Sequence, residues 1–167
     1  MVVFFLLNST KRLENGEDPE LPYGKLMERL LFLRMNNKAF YHLLMPIAER
    51  RLRSIRLPLE RPVVVFGDAS YSMDVAIRVS TIISSLLTVL AGASIFFFNV
   101  SPFAPPHAPT TIPQVLDVAL NTKADGLTAT ACCLREYYEQ KKVVKVWAET
   151  VFGSCFDVFT VFHHGHG

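Results

Sequence analysis

One carboxylate residue and two hydroxyl residues stand at alternate positions directly after an apolar run. The run covers residues 63–66, and Asp68, Ser70 and Ser72 follow it after one glycine. A short apolar, β-branched run predicts a buried strand, and open α/β sheets place their ligands at the carboxyl ends of such strands. Mg²⁺ takes about six oxygens and only a few of them from protein. We therefore expect a site for a hard cation, Mg²⁺ or Mn²⁺, at the end of this strand.

The rest of the chain predicts the elements that position this motif. A helix is expected from Asp74, where an acidic residue is favoured by the helix dipole. An apolar strand at 94–99, a proline-rich loop and a second helix follow, and residues 124–130 (Ala-Asp-Gly-Leu-Thr-Ala-Thr) open a further helix. Strands that alternate with helices are typical of an α/β fold with helices on both faces of the sheet.

The D-x-S-x-S motif at 68–72, together with the later Gly126-Leu127-Thr128 loop, resembles the metal-ion-dependent adhesion site of von Willebrand factor type A domains. The resemblance covers roughly residues 61–147. It implies a doubly wound, mostly parallel sheet with helices on both faces. It also implies that Thr128 supplies a further oxygen to the metal, because a threonine in such a loop does so in that family.

The same resemblance implies a binding module, in which an open coordination position accepts a carboxylate from a partner protein. Three residues on loops near the same edge of the sheet are candidate partner contacts: Tyr71, His107 and Asp125.

The family pattern stops at the predicted strand 143–147, which should end in an aspartate near the metal. Glu149 is out of pattern and Asp157 is too far along the chain. We therefore expect an incomplete domain whose apolar sheet edge is uncovered. The predicted organisation is a mainly helical N-terminal extension at 1–60, a partial domain at 61–152 and an irregular tail at 153–167.

No set of residues predicts catalysis. Ser70 and Ser72 are outside a G-x-S-x-G context, and no histidine is placed as their base. The loop after the strand also lacks the glycines and the lysine of a phosphate cradle. We expect a protein that is not an enzyme.

Two other functions have some basis in the sequence. Arginines 50, 51, 53, 56 and 61 form a basic cluster that would bind phosphates of RNA, although a solvated helix face explains it equally well. The segment Val79–Val100 has no charged residue and is long enough to span a membrane, but its serines and threonines and its phenylalanine run favour a helix followed by a buried strand. A fragment that binds nothing is the third alternative.

The cysteine content and the start of the chain predict a cytoplasmic protein. The apolar run at 2–7 is too short for a secretory signal and has no basic residue before it. Three cysteines, at 132, 133 and 155, fit no disulfide framework and are expected as free thiols. The formal net charge of +2 favours no class of partner.

Overall fold

The computed structural model describes residues 15, 18, 20–36, 41–56, 58–59, 61–129, 131–140, 146–153 and 156–163, the last two ranges by backbone alone. The chain divides into two compact units, Met1–Ser54 and Ile55–Gly167. The division falls a little before the predicted boundary at residue 60.

The first unit contains two helices that pack against each other, α1 (Tyr23–Met35) and α2 (Tyr41–Ser54). Leu26, Leu30 and Leu33 recur at helical spacing and are buried on one face of α1. Pro46 lies inside α2, and the helix continues past it.

The second unit is mixed α/β, as the order of its elements predicts. Its sheet has the strand order β3-β2-β1-β4-β5. The strands are β1 (Val63–Asp68), β2 (Ser94–Phe98), β3 (Pro102–Phe103), β4 (Val146–Gly153) and β5 (Phe156–His163). Its described helices are α3 (Asp74–Ala91), α4 (Ile112–Asn121) and α5 (Ala131–Glu139).

The central strand β1 is buried on both faces because helices cover each side. Val63 and Val65 pack with Leu87 and other residues at the end of α3, whereas Val64 and Phe66 pack with Cys133 of α5. On the first of these faces α4 also contributes Val118. A strand covered on both sides reads as a continuous apolar run, which is what residues 63–66 show.

The apolar segment 79–100 forms two elements, as the sequence predicts. Helix α3 ends at Ala91, Gly92 follows in the left-handed conformation at φ 64°, and β2 begins at Ser94. Among the described residues α3 is the one helix that is long and apolar enough, by length and composition, to cross a membrane, and half of it is buried in the fold.

Buried hydroxyls on α3 are satisfied by the helix itself. Ser80 donates to the carbonyl of Ala76 at 2.8 Å, and Thr81 donates to that of Ile77 at 2.6 Å. Ser84 and Ser85 make equivalent bonds one turn back. Small residues with internal hydrogen bonds allow α3 to lie close to the sheet without leaving unpaired polar atoms.

Two expectations about the sheet need correction. It is less parallel than predicted: β1 pairs in parallel with β2 and β4, but β3 and β5 are antiparallel. The predicted irregular tail is also wrong for residues 156–163, which form β5 and pair with the whole of β4. The segment is rich in phenylalanine and valine, and by pairing it occupies the edge of β4 that would otherwise expose unpaired backbone groups.

Candidate functional site

Three loops meet at the carboxyl edge of the sheet. We call them the β1 loop (69–73), the β2 loop (99–101) and the Gly126 loop (122–129). Backbone hydrogen bonds join all three. Ala69 N donates to Phe98 O at 2.8 Å, and Tyr71 N donates to Gly126 O at 2.9 Å. Asp125 N donates to Ala69 O at 2.8 Å, and Ala129 N donates to Asn99 O at 2.7 Å.

Asp68 lies at the end of β1, where its side chain is almost fully enclosed, with 1% of the residue exposed. Its Oδ1 accepts a hydrogen bond from the backbone N–H of Ser70 at 2.8 Å, which holds the carboxylate against the β1 loop. No residue that the structure describes donates a hydrogen bond to Oδ2 or forms an ion pair with this carboxylate.

Ser70 and Thr128 bring two hydroxyls together from distant parts of the chain. The Thr128 Oγ1 lies 2.5 Å from the Ser70 Oγ, and Ser70 is only 2% exposed. Because Ser70 also donates its N–H to Asp68, one residue connects the buried carboxylate with the hydroxyl of the Gly126 loop. The structure therefore brings together three of the four predicted ligands, which we call the polar cluster: Asp68, Ser70 and Thr128.

Ser72 is placed differently. It is exposed, and it has a φ of 69°, the left-handed conformation that few residues other than glycine adopt. A hydrogen bond from Met73 N to Ser70 O at 3.0 Å closes the turn that contains it. Within the described part of the chain, the Ser72 hydroxyl makes no hydrogen bond to the polar cluster.

The three predicted partner contacts do not all lie on the loops around the polar cluster. Tyr71 and Asp125 are both exposed on the loops around the polar cluster. His107 instead points to α4, where its Nε2 lies 3.3 Å from the carboxylate of Asp117. The contact that the structure describes for His107 is therefore with α4.

Asn99 was not predicted as a site residue, yet its side chain connects the β2 loop with the Gly126 loop. Its Nδ2 donates to the Asp125 carbonyl at 3.0 Å, and its Oδ1 accepts from Val100 N at 2.7 Å. Gly126, at φ 74°, lies close enough that a Cβ there would be 3.5 Å from the Asn99 amide nitrogen. A polar residue directly after a parallel strand was the available signal, because it falls at the ligand-binding edge.

The backbone register of β4 places the two downstream acidic residues away from the end of β1. Glu149 pairs with Phe66, two residues before Asp68, and is therefore about 7 Å short of it along the strand direction. Asp157 is on β5 opposite Phe152, two strands and about 10 Å away from β1. No group of three or more His, Cys, Asp or Glu that would hold a metal occurs among the described residues. A cation at this edge would thus be bound by hydroxyl oxygens together with Asp68.

The arginine cluster is partly neutralised by neighbouring carboxylates. Arg51 lies 3.1 Å from Asp18, and Arg53 lies 2.9 Å from Glu49. The pKa of Asp18 is lowered, first by the backbone N–H of Glu20 and then by Arg51. Surface pairs of this kind are typical of a solvated helix face.

Of the three cysteines, two lie in the described residues, and neither of these forms a disulfide. Cys133 is buried and Cys132 is partly buried, with their sulfur atoms 4.0 Å apart at the start of α5. The prediction for Cys155 lies outside the described residues.

Comparison with protein-family models and with curated proteins finds no match for this chain.

Proposed function

We propose that the chain is a cation-dependent protein-binding module, similar over residues 61–147 to a von Willebrand factor type A domain. The observation that supports this most strongly is the convergence of a buried carboxylate and two hydroxyls where three loops are cross-linked. Under this proposal the protein binds and does not catalyse, and it works in the cytoplasm.

The donor atoms of the polar cluster fit Mg²⁺ or Mn²⁺. They are all oxygens, which these ions prefer over the nitrogen and sulfur ligands of zinc sites. Asp68 Oδ2 and the two hydroxyl oxygens are the available ligands. We include Ser72 as a fourth ligand only because of its place in the D-x-S-x-S motif.

Burial of Asp68 gives a second argument for a cation. A buried carboxylate is unfavourable unless it is paired, and no arginine, lysine or histidine among the described residues forms an ion pair with it. Among the described residues, the Ser70 N–H is the hydrogen-bond donor to this carboxylate. A bound cation would neutralise this charge and would offer an open coordination position to a carboxylate of a partner protein.

The two hydroxyls affect the strength of that last interaction. Because Ser70 and Thr128 are neutral, Asp68 is the one formal negative charge in the polar cluster. A divalent cation held there would keep a net positive charge, which favours an acidic residue of a partner over a neutral one.

The experiment is a thermal melt of wild type and Asp68→Asn in EDTA and in millimolar Mg²⁺. The asparagine retains the oxygen that accepts the Ser70 bond, so the loop keeps its main support. Mg²⁺ at 100 times its dissociation constant should stabilise wild type by about 2.7 kcal/mol, and Asp68→Asn by much less. In EDTA the order should reverse, because the substitution removes a buried charge that no described cationic side chain neutralises.

Asp117→Asn is the matched control, because it removes an exposed carboxylate on α4 outside the polar cluster. It should respond to Mg²⁺ as wild type does. A wild-type melt that is cooperative but identical in EDTA and Mg²⁺ would refute the proposed function.

A further inference from the structure

Three large apolar side chains are exposed around the polar cluster. Tyr71 is 71% exposed, Val100 is 60% exposed and Leu127 is 78% exposed. Each belongs to a different one of the three loops. We call these three residues the apolar collar.

Each residue of the apolar collar is adjacent in sequence to a residue that builds or supports the site. Tyr71 follows Ser70, and Leu127 precedes Thr128. Val100 follows Asn99, whose side chain holds the Gly126 loop. The Tyr71 N–H also donates to the carbonyl of Gly126, so the backbones of two collar loops are in direct contact.

A single exposed apolar residue is common on protein surfaces and does not by itself indicate a binding site. Three of them on three loops joined by hydrogen bonds are different, because apolar residues next to a polar centre are typical of interaction sites. When a partner covers such residues, water is excluded from the central contact and a charged interaction there is strengthened.

We infer that the partner presents an acidic residue with bulky apolar residues on both sides, and that these flanking side chains contact Tyr71, Val100 and Leu127. The inference rests on the proposed function, since the acidic residue is recognised by the cation. It adds that the apolar collar, not the polar cluster, selects among acidic partners. A carboxylate alone would bind weakly because it competes with water for the coordination position, and burial of the flanking side chains supplies the remaining affinity.

The test uses three blocked peptides of equal length, titrated into the chain in millimolar Mg²⁺ and followed by NMR chemical shifts. One has glutamate between two leucines, one has glutamate between two serines, and one has glutamine between two leucines. We expect the leucine-flanked glutamate to bind about tenfold or more tightly than the serine-flanked one, because burying one leucine-sized side chain corresponds to at least that factor. The glutamine peptide should bind at least tenfold more weakly than its glutamate counterpart.

Two variants test whether the apolar collar causes the preference for leucine-flanked glutamate. Tyr71→Ser combined with Leu127→Ser should bind the two glutamate peptides about equally while keeping the wild-type melting shift in Mg²⁺. Tyr138→Ser is the control, because Tyr138 is as exposed but lies at the end of α5. It should keep the full preference for leucine.

The outcomes separate the two proposals. A wild-type chain that is stabilised by Mg²⁺ but does not discriminate leucine from serine overturns the collar inference and leaves the proposed function intact. Absence of any Mg²⁺ effect on the melt refutes both. Equal binding of the leucine peptides with glutamate and glutamine overturns the inference too, since the collar would then act without an acidic residue.

Discussion

Substitution of Gly67 by alanine tests whether β1 and α3 are as close as the structure places them. A Cβ on Gly67 would lie 2.8 and 2.9 Å from two ring carbons of Phe97 and would overlap the Ser80 hydroxyl. Neither neighbour can easily move: Phe97 is fully buried, and Ser80 is held by the carbonyls of Ala76 and Ile77. Overpacking of this kind costs about 1–3 kcal/mol.

The matched control is Gly24→Ala, because a Cβ on Gly24 meets no atom within 4 Å and the residue lies in α1. That substitution should stabilise the chain by no more than about 0.5–1 kcal/mol, the value for a helix interior, since Gly24 lies in the first turn of α1. Urea denaturation of both variants and wild type measures the difference. We also expect Gly67→Ala to reduce the Mg²⁺ response, because the residue directly precedes Asp68. A Gly67→Ala chain as stable as wild type would refute the close packing of α3 on the end of β1.

Three further predictions concern the loops around the polar cluster. A double-mutant cycle of Ser70→Ala and Thr128→Val in EDTA should give a coupling of about 1 kcal/mol, and additive effects would contradict the hydroxyl contact. Asn99→Ala should lower the free energy of unfolding by about 1–2 kcal/mol, because it removes the hydrogen bonds to Asp125 and to the β2 loop. It should also weaken Mg²⁺ binding measured by calorimetry. Unchanged Mg²⁺ affinity would mean that the Gly126 loop keeps its position without Asn99. Gly126→Ala should cost about 1–2 kcal/mol in urea denaturation, since alanine is strained at φ 74°, and a neutral effect would place that φ in doubt.

The helices and strands, and the position of Asp68 and Ser70, could be predicted where the local sequence pattern determines them. The apolar run before Asp68 predicts a buried strand, and parallel strands place the residues that follow at one edge of the sheet. Thr128 was instead assigned by the resemblance of its Gly-Leu-Thr loop to the adhesion site, and the helix that follows this loop packs on the same strand. Ser72 was grouped with them from spacing alone, and spacing does not specify the left-handed turn that exposes its side chain.

The features that could not be predicted depend on contacts between residues far apart in the sequence. Asn99 lies at the carboxyl edge of the sheet, and its role depends on a hydrogen bond to the carbonyl of Asp125, 26 residues later. Similarly, His107 belongs to a loop that leads back to α4, where Asp117 is its neighbour. Residues 156–163 are rich in phenylalanine and valine, which favour a strand, but their pairing partner is decided by the edge that β4 offers.

The register of β4 has a consequence for how cation and partner would act together. Under the proposed function, Asp68 supplies one negative charge, and Glu149 pairs too early on β4 to supply a second. A divalent cation would therefore keep one net positive charge until a partner's carboxylate arrives. By linkage, each of the two ligands must then raise the affinity for the other by the same factor. Mg²⁺ should thus bind more tightly when the leucine-flanked glutamate peptide is present than when Mg²⁺ is measured alone. Equal Mg²⁺ affinity with and without the peptide would show that the acidic residue does not bind at the cation.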